Sequence, residues 1–224
     1  MSQNVLVVAV HPDDETLGCG GTILKHRQAG DQVYWLIVTA MRQEEGYKAE
    51  QIAARNKEIE QVASEFGMSQ TFQLNFPTRK LDTVSPHLFI EKVQEVFQQI
   101  KPEIIYLPFM YDVHSDHRMA FDQIYSCTKI FRYPFIKTLY MMETLSETEF
   151  APAHEGKTFV PNYFVNMDGF IEDKVRIMKI YSGEIGESPF PRSEENIRAL
   201  ATFRGATAGC KAAESFMMIK QIWR

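Results

Sequence analysis

Two short stretches of this chain gather the side chains that do chemistry. One is His11-Pro12-Asp13-Asp14-Glu15; the other, far downstream, is Asp112-Val113-His114-Ser115-Asp116-His117. A catalytic zinc ion takes three nitrogen or oxygen ligands from the protein at about 2.0–2.2 Å and keeps a position open for water. His11, Asp14 and His117 can supply that set. Residues three apart where a strand turns into a loop fold back onto one point, Pro12 stiffens the turn, and His117 completes the triad from another loop. Zinc lowers the pKa of its water towards about 7, and a nearby carboxylate takes the proton as the water attacks a carbonyl. Asp13 is the candidate base. His114, protonated and held beside the metal, is the candidate oxyanion stabiliser, with Asp116 or Asp112 to orient it. Such a set hydrolyses an amide or ester and needs no covalent nucleophile.

These groups must be held by elements that bring distant segments together. β-Branched and aromatic runs at residues 5–10, 33–39, 72–76, 104–108 and 138–142 read as strands. Helical spacing occupies residues 22–29, 49–66, 86–100 and 117–131. Strand and helix alternate, and the strands are nearly continuous apolar runs. This predicts an α/β fold: a Rossmann-like, mostly parallel sheet with helices on both faces. Ligands of such sheets bind outside the carboxyl ends of the strands, where both polar clusters fall. The tail is expected to be a helix from about residue 193, a loop over 204–209 and a final apolar helix over 212–223.

The chain has 224 residues, 45% hydrophobic and 24% charged, without repeats or low-complexity tracts, so one folding unit over 1–224 is expected. A net charge of −5 without a basic block argues against a nucleic-acid partner. No apolar run approaches the length of a membrane span, and the start, MSQNVLVVAVHPDD, has neither basic leader nor cleavage site. Three scattered cysteines fit a reducing compartment, and the cytoplasm is the expectation.

The stretch AVHPDDETLGCGGTILKH, with the later DVHSDHRMA, resembles the PIG-L/LmbE-like family of zinc-dependent N-acetylglucosaminyl de-N-acetylases. The resemblance implies that His11, Asp14 and His117 bind Zn2+, that Asp13 is the base and that His114 stabilises the tetrahedral intermediate. It also implies a glycoconjugate or small-molecule substrate with an N-acetylamino sugar, and members are often homo-oligomers. Arg55 looks like the family's pocket arginine, and RGATAGCKAAESF, with Arg204, Gly205, Gly209 and Glu214, resembles its usual ending. Ser115 stands where proline is common. Asp112 occupies the place of a tyrosine that is catalytic in some members, so no tyrosine is assigned.

Competing readings are a metal-containing carbohydrate- or nucleotide-binding module without turnover and a metal-dependent phosphoesterase, for which Asp112 and Asp116 are the spare ligands. Arg79 stands between a substrate contact and a surface ion pair. Gly18, Gly20 and Gly21 are read as close helix-to-sheet packing rather than a dinucleotide turn. Glu15 is read as favouring a helix N-terminus, and Glu58 and Glu60 as a solvated helix face. His26, His87 and His154 lack companions at ligand spacing.

Overall fold

Alternating apolar runs and amphipathic stretches become seven strands and six helices in the computed structural model, which describes residues 2–223. The first nine alternate: β1 (Asn4–Ala9), α1 (Asp14–Gln28), β2 (Gln32–Ala40), α2 (Ala49–Phe66), β3 (Gln70–Pro77), α3 (Pro86–Ile100), β4 (Ile104–Leu107), α4 (Ser115–Ser126) and β5 (Thr138–Met142). Then follow β6 (Tyr163–Asn166), α5 (Ile171–Met178), α6 (Glu194–Ala208) and β7 (Ala213–Gln221).

The strands form one sheet in the order β3-β2-β1-β4-β5-β7-β6. β1 to β5 run parallel, and β7 lies antiparallel between β5 and β6. β1 is apolar from Val5 to Ala9 because both of its faces are covered. Val5, Val7 and Ala9 join a core with Trp35, Ile23, Val62 and Phe66, while Leu6 and Val8 join the opposite core with Phe97, Phe121 and Ile124. Fully burying each such side chain stabilises the fold by about 1.5–3 kcal/mol.

Strand order reverses at β1, with β2 on one side and β4 on the other. The loops leaving β1 and β4 therefore diverge and open a crevice between them. His11 to Asp13 lie on the first loop with Asp14 opening α1, and Asp112 to His114 lie on the second with Ser115 to His117 opening α4, so the topology brings both clusters to one place.

Three boundaries differ from the sequence expectation. α1 begins at Asp14 rather than near residue 22, because its glycines weaken the helical pattern while serving tertiary packing. A Cβ on Gly18 would lie 3.0 Å from Met142 Cβ, and one on Gly21 would lie 2.5 Å from Met167 Sδ. α4 stops at Ser126, short of residue 131. The tail departs most: α6 continues to Ala208, and residues 213–221 are a strand, not a helix. An interior strand flanked on both sides lacks the alternation that separates strand from helix in an apolar run.

A buried ion pair anchors that last strand. The Glu214 carboxylate accepts from Gly21 N (2.8 Å), Thr22 N (2.7 Å) and Thr22 Oγ1 (2.6 Å). Lys174 Nζ donates to Glu214 Oε1 and to the Leu17 carbonyl, both at 2.7 Å. β7 and α5 thus grip the middle of α1.

Candidate metal centre and active site

The loop after β1 is held in an unusual backbone conformation. Asp13, the residue preceding α1, has φ 143° and ψ −28°, a region that L-residues rarely adopt and that stores roughly 1–3 kcal/mol unless its surroundings enforce it. Asp13 N donates to Glu15 Oε2 at 3.1 Å, and Glu15 Oε1 accepts from Thr16 Oγ1 at 2.6 Å and Tyr181 OH at 2.9 Å. The Pro12 carbonyl accepts from Arg55 Nη1 at 2.9 Å. Glu15 is completely buried, and that burial pushes its carboxyl up to about 7. Its part is larger than favouring a helix end: it clamps the strained turn.

The turn aims Asp14 inward. Asp14 Oδ2 accepts from Val10 N at 2.9 Å and His11 N at 2.8 Å, and lies 3.2 Å from His117 Nε2 and 3.9 Å from His11 Nδ1. One ligand atom of each of His11, Asp14 and His117 lies within 4.8 Å of the others. Burial opposes charge on Asp14, but the imidazole of His117 outweighs it and holds the carboxyl well below its ordinary range.

The donor set fits a divalent metal. His117 is fully buried, yet its Nε2 makes no hydrogen bond, being misaligned with the nearby Asp14 oxygen. Its Nδ1 meets Asp112 Oδ2 at 2.8 Å, and Asp112 Oδ1 accepts from Thr148 Oγ1 at 2.7 Å. A ring nitrogen fixed to a carboxylate leaves the other nitrogen free to coordinate, as metal-binding histidines usually do. His11 has its own partner, with Nε2 3.3 Å from Asp116 Oδ2.

Asp116 and His114 are placed differently from expectation. The Asp116 carboxylate does not orient His114: besides His11 it accepts from Arg79 N at 2.6 Å and Leu81 N at 3.3 Å. Asp112 turns to His117 instead. The backbone N–H of Asp116 positions His114 by donating to its Nδ1 at 3.1 Å, so His114 caps α4. Burial, with the rings of His11 and His117, pushes the His114 pKa down to about 4. The ring is thus neutral near pH 7, with Nε2 as its N–H, and not the imidazolium expected from sequence.

Asp13 stands beside this group, its Oδ2 4.0 Å from Arg192 Nε. Burial and the charges of Asp14 and Glu184 push its pKa well above the ordinary value, against the pull of Arg192. His11, Asp13, Asp14 and His114 line a cavity of about 230 Å³, together with Arg55, Arg79, Tyr47, Glu147, Glu184 and Arg192.

Arg55 reaches the cavity wall but is largely engaged, pairing with Glu184 and, at 3.2 Å, with Glu58 Oε2. Glu58 is therefore not part of a solvated face, and it also accepts from Ser182. Arg79 is exposed at the rim with its guanidinium 5.9 Å from the Tyr47 ring centroid, and among the described residues no ion pair engages it. His26 is structural, bonded to Asp31 and Tyr106. Glu147, Tyr181, Glu184 and Arg192 carry no recognisable spacing in the sequence. They come from connections between elements and reach the site only through the fold.

A doubly wound sheet with a His-Asp-His group in its order-reversal crevice is the arrangement of a metal-using hydrolase. Residues 6–127, just over half of the chain, match the PIG-L family, described as GlcNAc-PI de-N-acetylase, and the chain belongs to that family. It is 26% identical over 230 residues to the diacetylchitobiose deacetylase of Thermococcus kodakarensis, covering 99% of this chain and 85% of that protein. The N,N'-diacetylchitobiose deacetylase of Pyrococcus horikoshii superposes with a TM-score of 0.75 at 22% identity, over 98% of this chain and 84% of that one. GalB, the 4-carboxy-2-hydroxymuconate hydratase of Pseudomonas putida KT2440, superposes with a TM-score of 0.76 at 15% identity, over 99% and 98% of the two chains. At such identities the likeness is one of fold. No helix among the described residues is long and apolar enough to cross a membrane.

Proposed function

We propose that this N-deacetylase removes the acetyl group from an N-acetylglucosamine-type glycoside, with His11, Asp14 and His117 holding a zinc ion. The observation that carries the reading is the convergence of these three side chains beside the strained Asp13, with His11, Asp13 and Asp14 lining the cavity and His117 buried behind them. Held by these three side chains, such an ion would supply Lewis-acid polarisation of an acetamide carbonyl and a lowered pKa for water. Asp13 takes a proton from the attacking water, whose oxygen bonds to the acetyl carbon. His114 donates its Nε2–H to the oxyanion that develops. Asp13 then delivers the proton to the amide nitrogen as the C–N bond breaks, releasing acetate and a free amine. Asp116 acts by orienting His11, Arg55 by fixing the Pro12 carbonyl and shaping the wall, and Arg79, with Tyr47, by meeting the aglycone at the rim.

Three protein ligands leave a position open, which supports turnover over a closed structural site. A two-metal phosphoesterase is less well supported, because the second candidate group, His11, His114 and Asp116, shares His11 with the first and adds only two side chains of its own. The three cysteines are free, in keeping with work in the cytoplasm. Acetate release from N,N'-diacetylchitobiose and other acetylated glycosides, measured with purified protein before chelation, after it and after zinc is restored, tests the proposal. No release in any of these states, or phosphate-ester cleavage alone, overturns it.

A further inference from the structure

Arg55 and Arg192 both pair with Glu184 on the cavity wall, Arg55 also with Glu58, and Arg192 lies beside Asp13. Glu147 has no such company. Among the described residues no donor or cation pairs with its carboxylate, and Oε2 is shut off from solvent without a hydrogen bond. The position is nonetheless built with care. Val113 N donates to the Glu147 carbonyl at 3.1 Å, and Glu147 N donates to the Thr144 carbonyl at 3.1 Å. The next residue, Thr148, accepts from Thr144 N at 2.9 Å and donates to Asp112, the residue that aligns His117. The preceding residue, Ser146, sits at φ 71°, with Oγ accepting from Arg192 Nη1 at 2.9 Å.

With Oε2 enclosed, the other oxygen of this cavity-lining carboxyl is the one left to draw a hydrogen bond from whatever fills the cavity. Sugar hydroxyls are donors of the right kind. We infer that Glu147 selects the substrate, its carboxylate accepting a hydrogen bond from a hydroxyl of the acetamido sugar seated over His11, Asp14 and His117. This rests on the deacetylase reading above. Removing such a contact weakens binding of the correct sugar far more than that of an analogue lacking the matching hydroxyl.

The test compares wild type, Glu147→Ala and Glu147→Gln on N,N'-diacetylchitobiose and on analogues each lacking one ring hydroxyl. Glu147→Ala is expected to raise KM about tenfold while kcat stays within about threefold. Glu147→Gln, whose amide oxygen still accepts, should recover most of the loss and keeps the shape of the site if the alanine variant folds poorly. One deoxy analogue should weaken wild type by the same factor and Glu147→Ala no further, as coupled partners do. Zinc content should be equal in all three proteins. An unchanged KM, or a penalty identical for every analogue, overturns this inference alone. A wild type that releases no acetate from any glycoside overturns the deacetylase reading and this inference with it.

Discussion

Asp112 Oδ2 and His117 Nδ1 lie 2.8 Å apart, both residues fully buried, and this contact fixes which nitrogen of His117 faces Asp14. Removing the carboxylate charge lets the ring reorient and lowers its basicity. Asp112→Asn is expected to weaken zinc binding by about 10–100-fold, whereas His117→Ala should remove it. Competition with a chromophoric chelator measures both. Equal affinity in wild type and Asp112→Asn would falsify the aligning role.

Asp13 contributes none of the three converging ligand atoms. Asp13→Asn should therefore keep the zinc stoichiometry of wild type while turnover falls by about 10²–10⁴-fold, the range for loss of a general base. Metal analysis and an acetate assay on the same preparation separate the two effects. A variant with full activity would remove Asp13 from the mechanism.

The Lys174 and Glu214 side chains are buried against each other and against the backbone of α1. Truncating one partner strands the other charge in the interior. Lys174→Ala is expected to destabilise the fold by about 3–5 kcal/mol, and an apolar replacement of both partners should recover part of that. Urea unfolding of the single and double variants gives the numbers; a single variant as stable as wild type contradicts the anchor.

Burial pushes the Glu147 carboxyl from an ordinary 4.5 up to about 7. As pH rises past 4.5 the unfolded chain gives up this proton first, while the folded chain keeps it until about pH 7. Stability from this group is therefore present below pH 4.5 and lost as pH rises through 7. Glu147→Gln should show a shallower decline of urea midpoint between pH 5 and 7. Glu15, also pushed up to about 7, contributes to the slope that remains, as do Asp13 and Asp112, which burial also pushes up. Parallel pH profiles for the two proteins would mean that Glu147 ionises normally.

The parallel half of the sheet was readable because buried strands such as VLVVA and amphipathic helices such as residues 49–66 announce themselves in local pattern. The candidate ligand set was readable because its residue types sit densely at two strand ends, and the fold brings His11, Asp14 and His117 together. The tail was not, since the burial that makes β7 a strand is conferred by β5 and β6. Nor was the neutral state of His114, which depends on a backbone N–H donated back to its own ring. Arg192 and Glu184 lie in segments without local period, and only three-dimensional folding reveals that they face Asp13.

The grip of Glu214 on Gly21 and Thr22 joins the opening helix to the closing strand. Gly21 and Glu214 stand 193 residues apart, so the turn bearing Asp13 and Asp14 is synthesised long before the acid that anchors its helix. The candidate ligand turn is thus secured only once β7 has joined the sheet, and a nascent chain without that strand holds His11, Asp13 and Asp14 against an unanchored helix.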